Sequence, residues 1–130
     1  MRRLFSFQEF ARDRSGAQAV EFAIIAPVLF AFIFGIFEVG RLTYEQSRVS
    51  AAAAAGARAV TLYGGSDETH IEAAISAKLP YAADIDLSDT TFGGLAFKQI
   101  VISYDFDFLI KFAPGISGVT ITATRYAPAS

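Results

Sequence analysis

Residues 22–37 have the sequence FAIIAPVLFAFIFGIF, an uncharged and almost wholly apolar run bounded by Glu21 and Glu38. As a helix that rises about 1.5 Å per residue, this run is about 24 Å long, and its extension over residues 19–40 is about 33 Å long. These two lengths bracket the hydrocarbon core of a bilayer, which is about 30 Å thick. Bulky apolar groups would lie on every face of the helix, which is unexpected for a core helix in a chain of 130 residues. The run therefore predicts a membrane-spanning helix.

The two sides of this run differ in charge. Residues 1–16 contain four Arg and two acidic residues, a net charge of +2, whereas residues 17–130 contain seven basic and eleven acidic residues, a net charge of −4. Because Arg-rich segments stay on the cytoplasmic side, we expect the amino terminus inside and the chain from residue 41 outside. A cleaved secretory signal is an alternative. Against it, the run exceeds a usual signal core and the small-residue tract 51–55 comes too late for its cleavage site.

Composition leaves little room for conventional enzyme chemistry. The chain has no Cys and one His, which excludes disulfides, thiolate zinc sites and cysteine nucleophiles. The acidic main part argues against binding of nucleic acid. Asp84, Asp86 and Asp89 could suggest a calcium loop, but the Gly and Glu of an EF-hand are missing at the required spacing. Asp105 and Asp107 could imitate a glycosidase pair, but no flanking aromatic side chains are expected on their strand face. We expect no catalytic residue, cofactor or metal.

Two features inside the predicted span need an explanation. Glu21 places a carboxylate near the edge of the apolar helix, where a charge costs less than the roughly 3 kcal/mol of the bilayer centre but still favours a partner. Small residues recur at intervals of four and would let another helix approach closely; this small-residue stripe consists of Ala19, Ala23, Pro27, Ala31 and Gly35. Pro27 also removes one helical hydrogen bond. Two simpler explanations stay open: Ala and Gly are common in spans, and Glu21 could be a snorkelling or protonated residue at the interface.

Helical character is expected to continue outside the membrane to residue 63, because no further Pro occurs before Pro80. The charges at 38, 41, 45 and 48 are spaced to pair along one face. The Ala-rich tract 51–57 suits close packing against a sheet or another helix, although a linker is the alternative. A weak apolar stripe follows three- and four-residue steps; it comprises Leu42, Val49, Ala53, Gly56, Val60 and Tyr63.

The remaining chain predicts one short helix and three strands. Gly64 and Gly65 end the long helix, and Ser66 is the expected N-cap of a second helix that ends before Pro80. Its buried face comprises Ile71, Ala74, Ile75 and Leu79, with His70 exposed. Alternating apolar and polar residues at 84–88, 99–108 and 119–124 predict half-buried antiparallel strands, joined by turns at Gly93-Gly94 and Pro114-Gly115. The predicted class is α+β, with a long amino-terminal membrane-spanning helix, a short second helix and a small antiparallel sheet.

Residues 15–22, SGAQAVEF, resemble the processing site of a type IV prepilin. In that family a membrane-embedded aspartic prepilin peptidase cleaves after the Gly that ends a short basic leader, and Glu is the fifth residue of the mature chain. Gly16, Ala17, Glu21 and Phe22 fall on this pattern. More narrowly, residues 12–63 resemble the TadE-like family, the minor pilins or pseudopilins of Tad (Flp) pilus systems. Phe22 replaces the usual Tyr of the small major Flp pilins, and the 114 residues after Gly16 (130 minus 16) exceed their length, which favours a minor component.

The resemblance implies four regions: a basic prepilin leader at 1–16, a transmembrane helix at 17–40, its extra-membrane continuation at 41–63 and a small extracytoplasmic α+β domain at 64–130. It also implies four partners, namely the lipid bilayer, the prepilin peptidase, other pilin or pseudopilin subunits and the pilus assembly platform. The chain would lie in the bacterial inner membrane and support pilus assembly and surface attachment.

Cleavage after Gly16 would create an α-amino group on Ala17 that is cationic near neutral pH. In pilins such an amine is thought to pair with the equivalent of Glu21 on a neighbouring subunit, which turns a costly lone charge into a paired one. Two alternatives remain: an uncleaved single-span anchor with an extracytoplasmic binding domain, and a binding domain released near Ala55.

Overall fold

The computed structural model describes residues 14–111 and 115–129, so almost all of the predicted leader lies outside the described residues. Within those ranges the order of elements is α1 (Arg14–Tyr63), α2 (Glu68–Ser76), β1 (Asp84–Phe92), β2 (Leu95–Asp107) and β3 (Gly118–Pro128). This arrangement confirms the predicted α+β class, with a long amino-terminal helix, a short second helix and a small sheet.

The chain divides into two units between Phe37 and Glu38. The first unit, described from residue 14, is helical, and from residue 16 onward nearly all of its side chains are exposed. By length and composition, α1 is apolar enough to cross a membrane, and none of its most apolar window is buried. Pro27 lies inside α1 without ending it. The outer limit of the span at residue 40 stays a prediction.

In the second unit, the sheet has the order β1-β2-β3, with both neighbouring pairs antiparallel. Phe92 pairs with Leu95 across a two-residue turn, in which Gly93 and Gly94 have φ values of +59° and +82°. Two successive residues with positive φ are typical of the tight hairpin turn whose twist matches that of the strands. The predicted turn at Pro114 lies outside the described residues, whereas Gly115, with φ +88°, is described.

The core of the second unit lies between α1, α2 and one face of the sheet. α1 contributes mainly small side chains and the other elements contribute larger ones; the core residues are Val49, Ala52, Ala53, Ala59, Val60, Ile71, Ile75, Ile100, Ile102, Phe106, Ile121 and Ala127. A β-carbon on Gly56 would lie 2.8 Å from Ile75 Cδ1 and 3.3 Å from Ile100 Cδ1. The tract 51–57 therefore packs closely against both a sheet and a helix, as predicted, and is not a linker.

Two details of the helix ends differ from the sequence prediction. The buried stripe ends at Val60, because Tyr63 is 57% exposed and stacks on His70 at a centroid distance of 4.8 Å. The N-cap of α2 is Asp67 and not Ser66, since the Asp67 carboxylate accepts a hydrogen bond from the backbone N–H of His70. Termination of α1 is confirmed: Gly64 has φ +87°, and its N–H donates to the Val60 carbonyl.

Candidate functional site

The predicted processing and assembly residues lie at the start of α1. Gly16, Ala17, Glu21 and Phe22 all belong to this helix and all are exposed. Ala17 and Glu21 are four residues apart, so they face the same side of the helix one turn from each other. A β-carbon on Gly16 would meet none of the described residues within 4 Å. The structure therefore leaves this stretch accessible along the helix surface.

The small-residue stripe follows the same exposed helix. Its five positions advance by four residues at a time, which places them on one ridge of α1. Four of them are exposed and Gly35 is half-buried. A β-carbon on Gly35 would meet nothing within 4 Å, so no described residue occupies the space above that position.

Glu38 begins the second unit and is only 4% exposed. One carboxylate oxygen accepts a hydrogen bond from Arg41 at 2.9 Å, and the other accepts from the backbone N–H of Leu109 at 2.8 Å. The Arg41 guanidinium also lies 4.9 Å from the centre of the Phe106 ring. A buried carboxylate is tolerated when paired and hydrogen-bonded, and both oxygens of Glu38 have partners. The carboxylate that closes the apolar run is thus a fixed part of the folded second unit.

Comparison with known protein families gives a match to most of α1. The family model described as TadE-like protein matches residues 16–58. Residues 16–58 are similar to this family. The match confirms the predicted resemblance and spans 43 of the 130 residues (58 minus 16, plus one). No curated protein and no solved structure gives a significant match to the chain. The matched stretch includes the apolar run 22–37, which belongs to a helix long and apolar enough to cross a membrane.

The TadE-like segment contains two of the predicted helix ion pairs. Glu38 pairs with Arg41 at 2.9 Å, and Glu45 lies 3.8 Å from Arg48. Glu45 also accepts a hydrogen bond from the Tyr81 hydroxyl at 2.6 Å. Burial, followed by this hydrogen bond, raises the pKa of Tyr81. The Tyr81 contact links the segment before β1 to α1, and sequence spacing gave no signal of it because the partners are 36 residues apart.

Outside the TadE-like segment, Lys98 is a charged core residue that the sequence analysis missed. It is 3% exposed, and its Nζ lies 2.8 Å from Glu68 Oε1 and 3.1 Å from Asp89 Oδ1. The hydrogen bond with Glu68 raises the pKa of Lys98 and outweighs the opposing effect of burial. The only sequence signal is its position: Lys98 has the same parity as Ile100 and Ile102 on the inward face of β2.

The acidic residues considered for metal binding or catalysis have other surroundings. Asp89 pairs with Lys98, and Asp84 and Asp86 are exposed. Over 14–111 and 115–129, no group of three or more His, Cys, Asp or Glu side chains could hold a metal ion. Asp105 accepts a hydrogen bond from the Thr120 hydroxyl and, like Asp107, is exposed.

Aromatic side chains occur on the sheet face of Asp105 and Asp107, but away from the two carboxylates. The strand register places aromatic residues on that face; they are Phe92, Phe97 and Tyr126. However, Phe97 is eight residues from Asp105, about 26 Å along the strand. These rings lie near the β1–β2 turn and do not flank the two carboxylates. The rings of Phe97 and Tyr126 form edge-to-face contacts with the Phe92 ring, at centroid distances of 5.7 and 5.5 Å respectively.

Proposed function

We propose that this chain is a TadE-like minor pilin or pseudopilin, a non-enzymatic subunit that supports Tad (Flp) pilus assembly and surface attachment. One observation carries the proposal: the TadE-like match begins at Gly16 and includes the whole apolar run 22–37, whose large side chains are exposed. Exposure of an apolar surface of this length to water is unfavourable. Lipid and neighbouring apolar helices would provide a favourable environment for it.

In this proposal residues 17–40 span the bacterial inner membrane, with the amino terminus in the cytoplasm and the second unit outside. The Arg-rich first sixteen residues support this orientation. Burial of Glu38 supports an outer boundary near this residue, because within folded protein its carboxylate is paired with Arg41 and accepts a hydrogen bond from the Leu109 N–H. The pilus assembly platform and other pilin subunits are the protein partners.

Prepilin peptidase would cleave between Gly16 and Ala17, leaving an α-amino group on Ala17. Because Ala17 and Glu21 face the same side of α1, a helix lying alongside can bring its own amine to Glu21. Inside the membrane this pairing would remove the cost of an isolated carboxylate and would set the register between subunits. The small-residue stripe, from Ala19 to Gly35, would let that neighbouring helix approach closely.

The amino terminus of the mature chain tests the processing step. Intact protein is isolated from native membranes that contain or lack the peptidase, and its mass is measured. A chain that starts at Ala17 only when the peptidase is present supports the proposal, whereas a chain that retains Met1 in both membranes overturns the pilin mechanism. Gly16→Leu is the matched variant, since the space around Gly16 is open: it should block cleavage and leave the second unit folded.

Two alternatives make different predictions. An uncleaved single-span anchor would keep Met1 and would tolerate loss of Glu21. Release of a binding domain near Ala55 would cut α1 beside Ala52 and Ala53, both of which are fully buried in the core. Such a cut would remove the helix on which the sheet packs, so the structure disfavours it.

A further inference from the structure

The loop between β2 and β3 exposes large apolar side chains next to the point where the second unit begins. Its base is closed by a hydrogen bond from the Phe108 N–H to the Ser117 carbonyl. Directly inside this base, Leu109 is 76% exposed and Ile116 is 57% exposed. Lys111, in the same loop, is exposed as well. The loop therefore combines apolar side chains with a cation.

A single hydrogen bond joins this loop to Glu38, the first residue of the second unit. The backbone N–H of Leu109 donates to Glu38 Oε1 at 2.8 Å. Glu38 directly follows Phe37, the last residue of the apolar run. Because Glu38 is buried and also held by Arg41, the contact belongs to the packed structure. Leu109 is therefore tied to the residue that directly follows the apolar run in the chain.

The exposed side chains match the chemistry of that boundary. Leu and Ile gain free energy when they leave water for an apolar phase, and Lys and Arg keep their charged ends among lipid headgroups while their stems lie in apolar surroundings. Lys111 and Arg41 provide such cations near Leu109. The exposed carboxylates Asp105 and Asp107 on the adjoining strand disfavour a purely electrostatic attraction to anionic lipid, so apolar insertion has to carry the contact.

We propose that Leu109 and Ile116, exposed apolar residues described at the two ends of the β2–β3 loop, insert into the interfacial region of the bilayer. The partner is the lipid surface itself, and the loop forms a second point of contact between the folded unit and the membrane. This inference rests on the proposed membrane span. The contact would limit how far the second unit tilts away from the bilayer.

Tryptophan fluorescence tests the contact, because the chain contains no Trp. The full chain carrying Leu109→Trp is reconstituted into phosphatidylcholine vesicles that contain lipids brominated at shallow or deep acyl positions. Leu62→Trp is the matched control, since Leu62 is 75% exposed but lies 24 residues from Glu38 on α1, about 36 Å along the helix. We expect blue-shifted emission for Leu109→Trp, with stronger quenching by the shallow bromines. Leu62→Trp should emit as in water and should not be quenched.

A third variant separates this inference from the proposed function. Phe30→Trp, within the span, should be quenched most by the deep bromines. If Phe30→Trp is quenched but neither Leu109→Trp nor Ile116→Trp exceeds Leu62→Trp, the loop does not enter the interface and the inference is overturned while the span stands. If Phe30→Trp itself escapes quenching, the proposed membrane function fails and the loop contact fails with it.

Discussion

Gly56 on α1 lies directly against Ile75 on α2, so that a β-carbon at Gly56 would come within 2.8 Å of both Cγ1 and Cδ1 of Ile75. Non-bonded carbon atoms in proteins essentially never lie this close together. Protein interiors also offer few voids into which the Ile75 side chain could move. The Cδ1 atom of Ile100, 3.3 Å from the same point, limits movement on the sheet side. The absence of a side chain at this position therefore lets the short helix and the sheet meet on α1.

Gly56→Ala should destabilise the second unit by about 1–3 kcal/mol, the usual cost of overpacking a core. Gly40→Ala is the control on the same helix, because a β-carbon there would meet nothing within 4 Å. The control should be neutral or slightly stabilising, since Ala favours a helix over Gly by roughly 1 kcal/mol. Urea unfolding of the full chain in detergent, followed by circular dichroism, measures both. Equal midpoints for the two variants would contradict the packing described here.

Glu21→Ala should abolish pilus assembly while the second unit keeps its fold, because this change removes the carboxylate proposed to receive a neighbour's amine. Glu72→Ala, at an exposed site on α2 in the second unit, removes the same chemical group and should assemble normally. Recovery of sheared pili, together with the unfolding curve of the purified chain, provides the two readouts. Normal assembly of Glu21→Ala would favour the simple anchor, which loses only a costly membrane charge.

Removing the buried amine of Lys98 should cost less folding stability than removing the charges of its two acidic partners. Lys98→Met leaves Glu68 and Asp89 in water, since their side chains are 55% and 79% exposed. The double variant Glu68→Gln with Asp89→Asn instead leaves a buried ammonium without a counter-charge, and we expect it to lose about 1–3 kcal/mol more stability than Lys98→Met. Urea unfolding at pH 7 compares them. A larger loss for Lys98→Met would refute this ranking.

Because of Lys98, we also expect the stability of the protein to depend on pH in the alkaline range. Its pKa is raised from 10.5 by Glu68 and Asp89, so its contribution to stability is fully present below about pH 10.5 and is lost as pH rises through the folded-state value. The unfolding midpoint of the wild type should fall more steeply than that of Lys98→Met above this pH. Parallel curves would show that Lys98 does not titrate differently in the folded state.

Because of Asp67, we expect stability to fall as pH decreases in the acid range, the opposite direction to the effect of Lys98. Its side-chain hydrogen bond with His70, followed by the one from the His70 backbone N–H, lowers the pKa of Asp67 below 3.8. The stabilisation is therefore present above about pH 3.8 and is lost as pH falls through the lower folded-state value. Asp67→Asn keeps a capping oxygen but does not titrate, so its deficit relative to the wild type should shrink below pH 4 in thermal unfolding. An unchanged deficit would exclude this carboxylate as the source.

The sequence predicted those features that depend on local patterns. The apolar run 22–37, the alternation around Ile100 and Ile102, and the Gly64 stop signal each identify an element without knowledge of the rest of the chain. The resemblance to the TadE-like family, matched at residues 16–58, likewise needs only contiguous residues. Local signals were weaker for helix ends: Ser66 and Asp67 are both good N-caps, and only the hydrogen bonds with His70 distinguish them.

Contacts between distant residues could not be predicted in this way. Glu38 meets Leu109 across 71 positions, and Lys98 meets Glu68 across 30. Neither pairing follows from spacing, because it depends on how the sheet packs against α1 and α2. An analysis based on the spacing of apolar residues therefore does not identify charged residues that are buried in the core.

The packing of Gly65 has a practical consequence for labelling the protein. A β-carbon on Gly65 would lie 2.8 Å from Ala129 Cβ, so the chain near its carboxyl end returns to the far end of α1. Glu38 and the β2–β3 loop lie at the other end, about 38 Å away along the 25 residues of helix to Tyr63. A fluorescent protein or epitope fused after Ala129 would therefore start at the Gly65 end of the second unit, away from Glu38 and the β2–β3 loop.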